Sequence, residues 1–250
     1  MPVEFLTGAL PAPHGFFTRN GGVSAGPFAS LNCSLSGADA HEKIFKNRAL
    51  VAQAMGVAPK NLLGLRQVHE ATVHWVTDAW GTGNLPEADA MITARRGFAL
   101  GIITADCAPV LFSDEAGTCV GAAHAGWRGA LNGVLEATGM AMRSKGAIGV
   151  RAVIGPCIQQ QSYEVGADLR DIVLARNAAH ESFFVPGKAA DKWQFDLPAY
   201  CAARLAKIDL PVTILARDTY AEEQKFFSYR RRVLRGDAAN GHQISAIRVN

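Results

Sequence analysis

The sequence predicts one α+β domain spanning residues 1–250, on three observations. Strand-like runs and helical patterns are interspersed along the chain, and no repeat, low-complexity tract or linker divides it. Apolar residues make up 49% of it and charged residues 19%, below the usual share of roughly a quarter, so a sizeable core can form and disorder is not expected. Its candidate ligand residues, taken up below, fall within one β-rich stretch.

The elements follow in order. His14-Gly15-Phe16-Phe17-Thr18 is short, apolar and strand-like, and Asn20-Gly21-Gly22 then supplies residues that tolerate positive φ in a turn. A loop runs on through Gly26-Pro27. Over residues 39–55 the apolar residues Ile44, Phe45, Ala49, Ala52 and Met55 recur near helical spacing, and Gly56 is a suitable stop. β-Rich runs at 62–68, 72–76, 98–104, 110–112 and 118–123, punctuated by glycines, form the expected sheet core. Gly126 opens a helix over 126–142 whose buried face is Leu131, Val134, Leu135 and Met140, with a stop near Gly146. Residues 150–154 read as a strand that runs into the turn Gly155-Pro156-Cys157. Helical patterns cover 166–175 and 197–207, and strands are expected at 212–215 and 244–249.

Charge and composition narrow the function classes. A formal charge of +3 without a long basic block gives nucleic acid no electrostatic footprint. The one basic cluster, Arg230-Arg231-Arg232, reads as a solvated face, while a small anionic substrate is allowed. The N-terminus, Met1-Pro2-Val3-Glu4-Phe5-Leu6, has neither the basic flank nor the apolar stretch of a secretory signal, so export is not expected. No run approaches the roughly 20 apolar residues that cross a bilayer, so no membrane partner is expected. Five scattered cysteines, an odd number without a paired framework, fit a reducing compartment, and the cytoplasm is the expected location.

Chemistry concentrates in three segments: Gln67-Val68-His69, Thr104-Ala105-Asp106-Cys107, and His124-Ala125-Gly126-Trp127-Arg128-Gly129. One thiolate and two imidazoles are a known catalytic zinc set, in which three protein ligands leave a fourth position open. The spacing is unlike a compact structural zinc motif, and on spacing alone a core cysteine and two satisfied histidines would account for it. Asp106 and Arg128, however, put charges beside the candidate ligands at the ends of apolar strands, and such charges need an electrostatic reason. A rival reading makes Cys107 a nucleophile and His124 its base. His69 is redundant for that dyad and useful for a metal, which favours His69, Cys107 and His124 as ligands.

Further segments point the same way. His14-Gly15-Phe16-Phe17-Thr18-Arg19, Gly21-Gly22-Val23-Ser24, Ser30-Leu31-Asn32, Asn47-Arg48, Ala88-Asp89-Ala90-Met91, Ile154-Gly155-Pro156-Cys157 and Phe226-Phe227-Ser228-Tyr229-Arg230 join the three above. Together, in order and over nearly the whole chain, they resemble the laccase-domain family, also called the multicopper polyphenol oxidase family. The resemblance implies an α+β domain of layered mixed sheets packed between helices, the α-β-β-α plan of Cys-His hydrolases. It implies zinc held by His69, Cys107 and His124. It also implies phosphorolysis of adenosine, inosine and S-methyl-5′-thioadenosine, with deamination of adenosine to inosine. Copper-dependent oxidation of phenols and an amidase role in editing peptidoglycan precursors are attached to the same family, and a metal-binding protein without turnover is the third alternative.

Physical chemistry arbitrates in part. A laccase needs many histidines for its copper sites, whereas this chain has seven and no His-X-His pair. One thiolate and two neutral imidazoles leave zinc positively charged with an open position, able to bring the pKa of bound water toward roughly 7, as hydrolytic deamination requires. Phosphorolysis needs an anion site as well. Arginine, whose planar fork matches phosphate oxygens, is the residue to look for: Arg48 is the first candidate for substrate binding and catalysis, and Arg128 the alternative. Asp106 could orient a ligand or activate water. Phe16, Phe17, Phe226, Phe227 and Tyr229 are candidate surfaces for a purine ring.

Overall fold

The computed structural model describes residues 2–250. Strands β1 (Phe5–Leu6) and β2 (His14–Phe17) precede helix α1 (His41–Ala54). Six strands follow: β3 (Leu62–Leu63), β4 (Val73–Trp75), β5 (Ala90–Thr93), β6 (Ala99–Thr104), β7 (Ala108–Ser113) and β8 (Val120–Ala125). Helices α2 (Trp127–Asn132) and α3 (Val134–Ser144) lead to β9 (Arg151–Ile154), β10 (Glu164–Gly166) and α4 (Ala167–Arg176). The chain then forms β11 (Phe184–Pro186), β12 (Lys192–Phe195), α5 (Leu197–Ala206), β13 (Val212–Ile214), α6 (Tyr229–Arg235) and β14 (Gln243–Arg248).

Two mixed sheets make the body. One runs β1-β2-β14-β6-β3 and the other β13-β9-β7-β8-β5-β4, while β10-β12-β11 is a small third sheet. The parallel pairs are β3 with β6, β4 with β5, and β13 with β9; the other neighbours are antiparallel.

Alternation along the strands places the layers. Leu111 of β7 faces the core between the two sheets, with Phe16, Leu100, Ile102, Met91, Val153 and Ile247. Its neighbours Val110 and Phe112 face the opposite way, into a core closed by Val134 and Leu135 of α3 and Tyr200 and Leu205 of α5. Phe17, Ile244 and Ala246 face outward from the first sheet against Val51, Ala52 and Met55 around α1. The order is therefore α1, five-stranded sheet, six-stranded sheet, α3 with α5, as the α-β-β-α expectation has it. Burial on both faces explains why β7 and β8 read as continuous buried runs rather than as half-polar strands. No helix is long and apolar enough to cross a membrane among the described residues.

Several elements differ from expectation, each for a physical reason. The helix expected over 126–142 is two helices, because Gly133 sits at φ 96°, ending α2 and starting α3. Met140, expected inside, is 52% exposed, and Phe45 of α1 is 47% exposed. The inner face of α1 instead carries the polar pair Asn47 and Arg48, whose side chains bond to surrounding loops. The run at 62–68 is strand only at Leu62–Leu63 and then leaves the sheet toward the site. β5, the small third sheet and α6 were absent from the expectation; α6 contains the Arg230-Arg231-Arg232 cluster, of which Arg231 is buried.

Candidate metal centre and cavity

The three sheet-end segments converge. Cys107 lies in the tight turn between β6 and β7, where Asp106 takes a left-handed φ of 91°. His124 is next to last in β8, in register with Pro109 of β7. His69 comes from the loop after β3, itself at φ 64°. Their ligand atoms all lie within 4.8 Å of one another, and the two imidazole rings meet edge to face, with centroids 4.8 Å apart.

Asp89, fully buried just before β5, organises two of the three. Its Oδ1 accepts from Nδ1 of His124 at 2.8 Å, which turns Nε2 of that ring toward the cluster. Its Oδ2 accepts from the backbone amides of Val68 (3.0 Å) and Glu70 (2.8 Å), the residues on either side of His69. Its own carbonyl takes the His124 amide at 2.7 Å. One carboxylate therefore sets the ring of one histidine and the backbone of the other. These bonds outweigh burial and hold the Asp89 carboxyl below its ordinary range.

Electrostatics makes Cys107 a thiolate. Burial alone would push its pKa up, but the charge of His124 and hydrogen bonding from His124 and His69 bring it down to about 6. Burial opposes the charge on His124, and the Cys107 thiolate with the Asp89 carboxylate overcomes it, raising that pKa to about 9. A soft anion and two imidazoles thus converge on one point. Gly126, at the mouth of α2, leaves that point clear: a Cβ there would stand 2.9 Å from Cys107 Sγ and 3.2 Å from His69 Cδ2. The donor set and this clearance fit a borderline cation such as zinc.

The cluster opens into a cavity of about 1200 Å³, which Arg48, Arg128, Tyr163 and Tyr229 also line. Arg48 is buried, with Nη1 donating to the Cys33 carbonyl at 3.3 Å and Nη2 to that of Leu62 at 3.0 Å. It forms no ion pair among the described residues. Asn47 beside it is fixed in the loop framework by bonds to Val23, Ser24, Ser30 and Asn32. Arg128 is exposed, its guanidinium 4.5 Å from the ring centroid of Trp127.

The family model described as multi-copper polyphenol oxidoreductase laccase matches residues 13–250. The chain belongs to this family. It is similar to a protein of Streptomyces coelicolor named a purine nucleoside phosphorylase, at 36% identity over 88% of this chain and 90% of that one. YfiH of Escherichia coli, named likewise, is 36% identical over 92% of this chain and 90% of its own. Among solved structures, a Neisseria meningitidis protein aligns with TM-score 0.85 and 35% identity, covering 98% of this chain and 99% of that one. A Bacillus licheniformis protein also called YfiH aligns with TM-score 0.85 and 31% identity, over 95% and 92%.

Within this family member, the residues singled out from sequence have different placements. His69, Cys107 and His124 come together, and Arg48 and Arg128 reach the same cavity. Asp106 also borders it, but both of its oxygens are already engaged: Oδ1 accepts from Thr219 Oγ1 at 2.7 Å, and Oδ2 from Ser228 Oγ at 2.9 Å and the Arg230 amide at 2.6 Å. It anchors the start of α6 against the Cys107 turn. Phe16, Phe17, Phe226 and Phe227 are closed within the core, so of the five aromatic candidates only Tyr229 lines the cavity. Asp89, Tyr163 and Arg230 were not expected at the site. Asp89 had a signal in Ala88-Asp89-Ala90-Met91, where an acid immediately precedes an apolar strand; Arg230 stood in a basic cluster read as a solvated face, and Tyr163 had no signal, because tertiary packing places the loop that carries it and brings α6 to the site.

Proposed function

We propose that this chain is a zinc-dependent purine nucleoside phosphorylase acting on adenosine, inosine and S-methyl-5′-thioadenosine, with adenosine deaminase activity. The observation that carries the reading is the shared cavity: a thiolate and two imidazoles converge on one wall, and a buried arginine without a carboxylate partner reaches another. The names of the similar proteins support the substrate class.

His69, Cys107 and His124 would hold the ion; when bound, zinc supplies a Lewis acid that can acidify water near neutral pH. Asp89 keeps the His124 tautomer fixed and Nε2 aimed inward. Arg48 carries the need for an anion: burying a guanidinium with only two backbone carbonyls for partners is costly, and phosphate oxygens would complete its hydrogen bonding. Tyr163, Trp127 and Tyr229 line the cavity, and the ring surface that Arg230, Arg128 and Arg232 leave open would supply the flat apolar contact a purine requires. Free cysteines throughout suit the reducing cytoplasm. Among the described residues one group of three could hold a metal, which supports a single-ion site rather than the several copper centres of a laccase.

A second reading draws on the polarity of Cys107 and His124. A thiolate paired with an imidazolium is the resting form of a Cys-His amidase, in which a bound metal would inhibit. Incubation with adenosine, with and without phosphate, resolving adenine, inosine and hypoxanthine, tests the first reading. Adenine formed only with phosphate, and inosine formed without it, are the expected products. No purine turnover by zinc-loaded protein, together with covalent labelling of Cys107 by a cell-wall amide substrate, would replace it with the second.

A further inference from the structure

Two cations at the cavity are left over from this account. Arg128 of α2 and Arg230 of α6 both line it, the first exposed and the second half-buried. Neither guanidinium forms an ion pair among the described residues. The other arginines of α6 are engaged: Arg231 bonds three backbone carbonyls, Arg232 caps the helix end through Asp237 and Ala238, and Arg235 pairs with Glu223.

Aromatic faces carry both free cations. Arg128 lies over Trp127 at 4.5 Å and Arg230 over Tyr163 at 5.5 Å. Stacking of this kind orients a guanidinium while leaving its N–H edge open to an anion. The charges of both arginines act on Tyr163: burial and the Cys107 thiolate push its hydroxyl up, and Arg230 and Arg128 oppose them. The position of Arg230 is further fixed by its own amide, held by Asp106. Asp106, the acid that lines the cavity here, has both oxygens engaged by three neutral donors and makes no ion pair with the guanidinium.

Arg48 belongs to a different wall, between α1 and β3, against Cys33 and Leu62. The cavity thus has two cationic regions, one buried and one open to solvent, and inorganic phosphate accounts for only one of them. Its volume of about 1200 Å³ also exceeds what a nucleoside with one phosphate ion fills. We propose that Arg128 and Arg230 form a second anion subsite, which takes the phosphoryl group of a 5′-phosphorylated purine nucleoside. This rests on reading the cavity as a purine-nucleoside site, and widens the ligand class from nucleosides to nucleoside monophosphates.

The test is equilibrium binding of adenosine 5′-monophosphate, adenosine and inorganic phosphate, each alone, to the full chain, with adenosine turnover followed in the same preparations. The monophosphate should bind at least about tenfold more tightly than adenosine at low salt, and the gain should shrink as salt rises. The gain should vanish in Arg128→Ala and Arg230→Ala, each checked for an unchanged thermal melt, and survive in Arg48→Ala. Equal affinity for the two purines overturns the proposal. So does a gain lost in Arg48→Ala alone, which moves the phosphoryl group to the buried arginine. Loss of inorganic phosphate binding in Arg230→Ala also overturns it, by giving the pair to the free ion. Tight monophosphate binding without adenosine turnover leaves the subsite standing and removes the phosphorylase reading; turnover without the affinity gain does the reverse.

Discussion

Asp89 accepts the Nδ1 proton of His124 at 2.8 Å while its second oxygen holds the amides that flank His69. The geometry of the metal cluster is therefore coupled through a residue that is not itself in it. Asp89→Asn keeps one acceptor but turns an amide NH₂ toward the N–H groups of Val68 and Glu70. We expect zinc affinity to fall roughly 10- to 100-fold with the fold intact. Competition with a chromophoric chelator measures it, and unchanged affinity would make Asp89 a purely structural acid.

Cys107→Ser and His124→Ala should each lose both metal and purine turnover, since a hydroxyl is a poor substitute for a zinc-bound thiolate. Metal analysis at matched thermal stability decides it. Stoichiometric zinc retained in either variant would sink the three-ligand assignment. Retained zinc with lost turnover would point to Cys107 as a nucleophile.

The titration of the pair predicts the proton count of metal binding. In the metal-free protein Cys107 is deprotonated above about 6, whereas His124 keeps its proton up to about 9. A metal needs both groups bare. Between these values the pair should release one proton per ion bound, from His124, and affinity should rise about tenfold per pH unit. Below the lower value the pair should release two, and above the upper value none. Calorimetry in buffers of different ionisation enthalpy reads the number directly. Two protons lost from these groups at neutral pH would mean that Cys107 rests as a thiol.

Gly126→Ala tests the clearance at the cluster. The added methyl would lie 2.9 Å from Cys107 Sγ, closer than real Cβ atoms stand, and 3.2 Å from His69 Cδ2, tighter than nine in ten such contacts. His69, on an exposed loop, is the group that can yield. We expect weakened metal binding with an unchanged melting temperature in the metal-free protein; undiminished metal affinity would show that the loop absorbs the methyl without cost to the site.

The legible parts of this fold and site share one property, a local signal. β-Rich apolar runs and glycine punctuation marked β6 to β9, and Cys107 and His124 stood out because charges and soft donors end those apolar runs. The site residues that stayed hidden act through distant chain. Asp89 works on residues 68, 70 and 124, and Arg230 reaches Tyr163 only once α6 has folded back onto the Cys107 turn. Phe45 and Met140 misled for the converse reason. Their helical spacing was right, but Asn47 and Arg48 took the inner face of α1, and Gly133 restarted the helix that carries Met140.

Arg48 gives the sharpest test of the proposed division between phosphorolysis and deamination. Its side chain is inside the protein, holds two backbone carbonyls and has no carboxylate partner among the described residues, which is the basis for proposing it as the phosphate ligand. Arg48→Ala should slow phosphorolysis of adenosine about ten- to hundred-fold, the loss of a charge-assisted hydrogen bond of roughly 1.5 to 3 kcal/mol expressed in the transition state. Deamination uses water in place of phosphate and should be spared by comparison. Arg48→Lys keeps the charge but not the planar fork, and should recover part of the rate while leaving the phosphate KM raised. Because the side chain also ties α1 to the loop at Cys33 and to Leu62 of β3, thermal melts of each variant must accompany the rates. Both rates are measured on adenosine in one preparation, since a misfolded variant would lose them together. Equal loss in a well-folded variant would move Arg48 from phosphate to nucleoside positioning, and unchanged rates would leave it a purely structural cation.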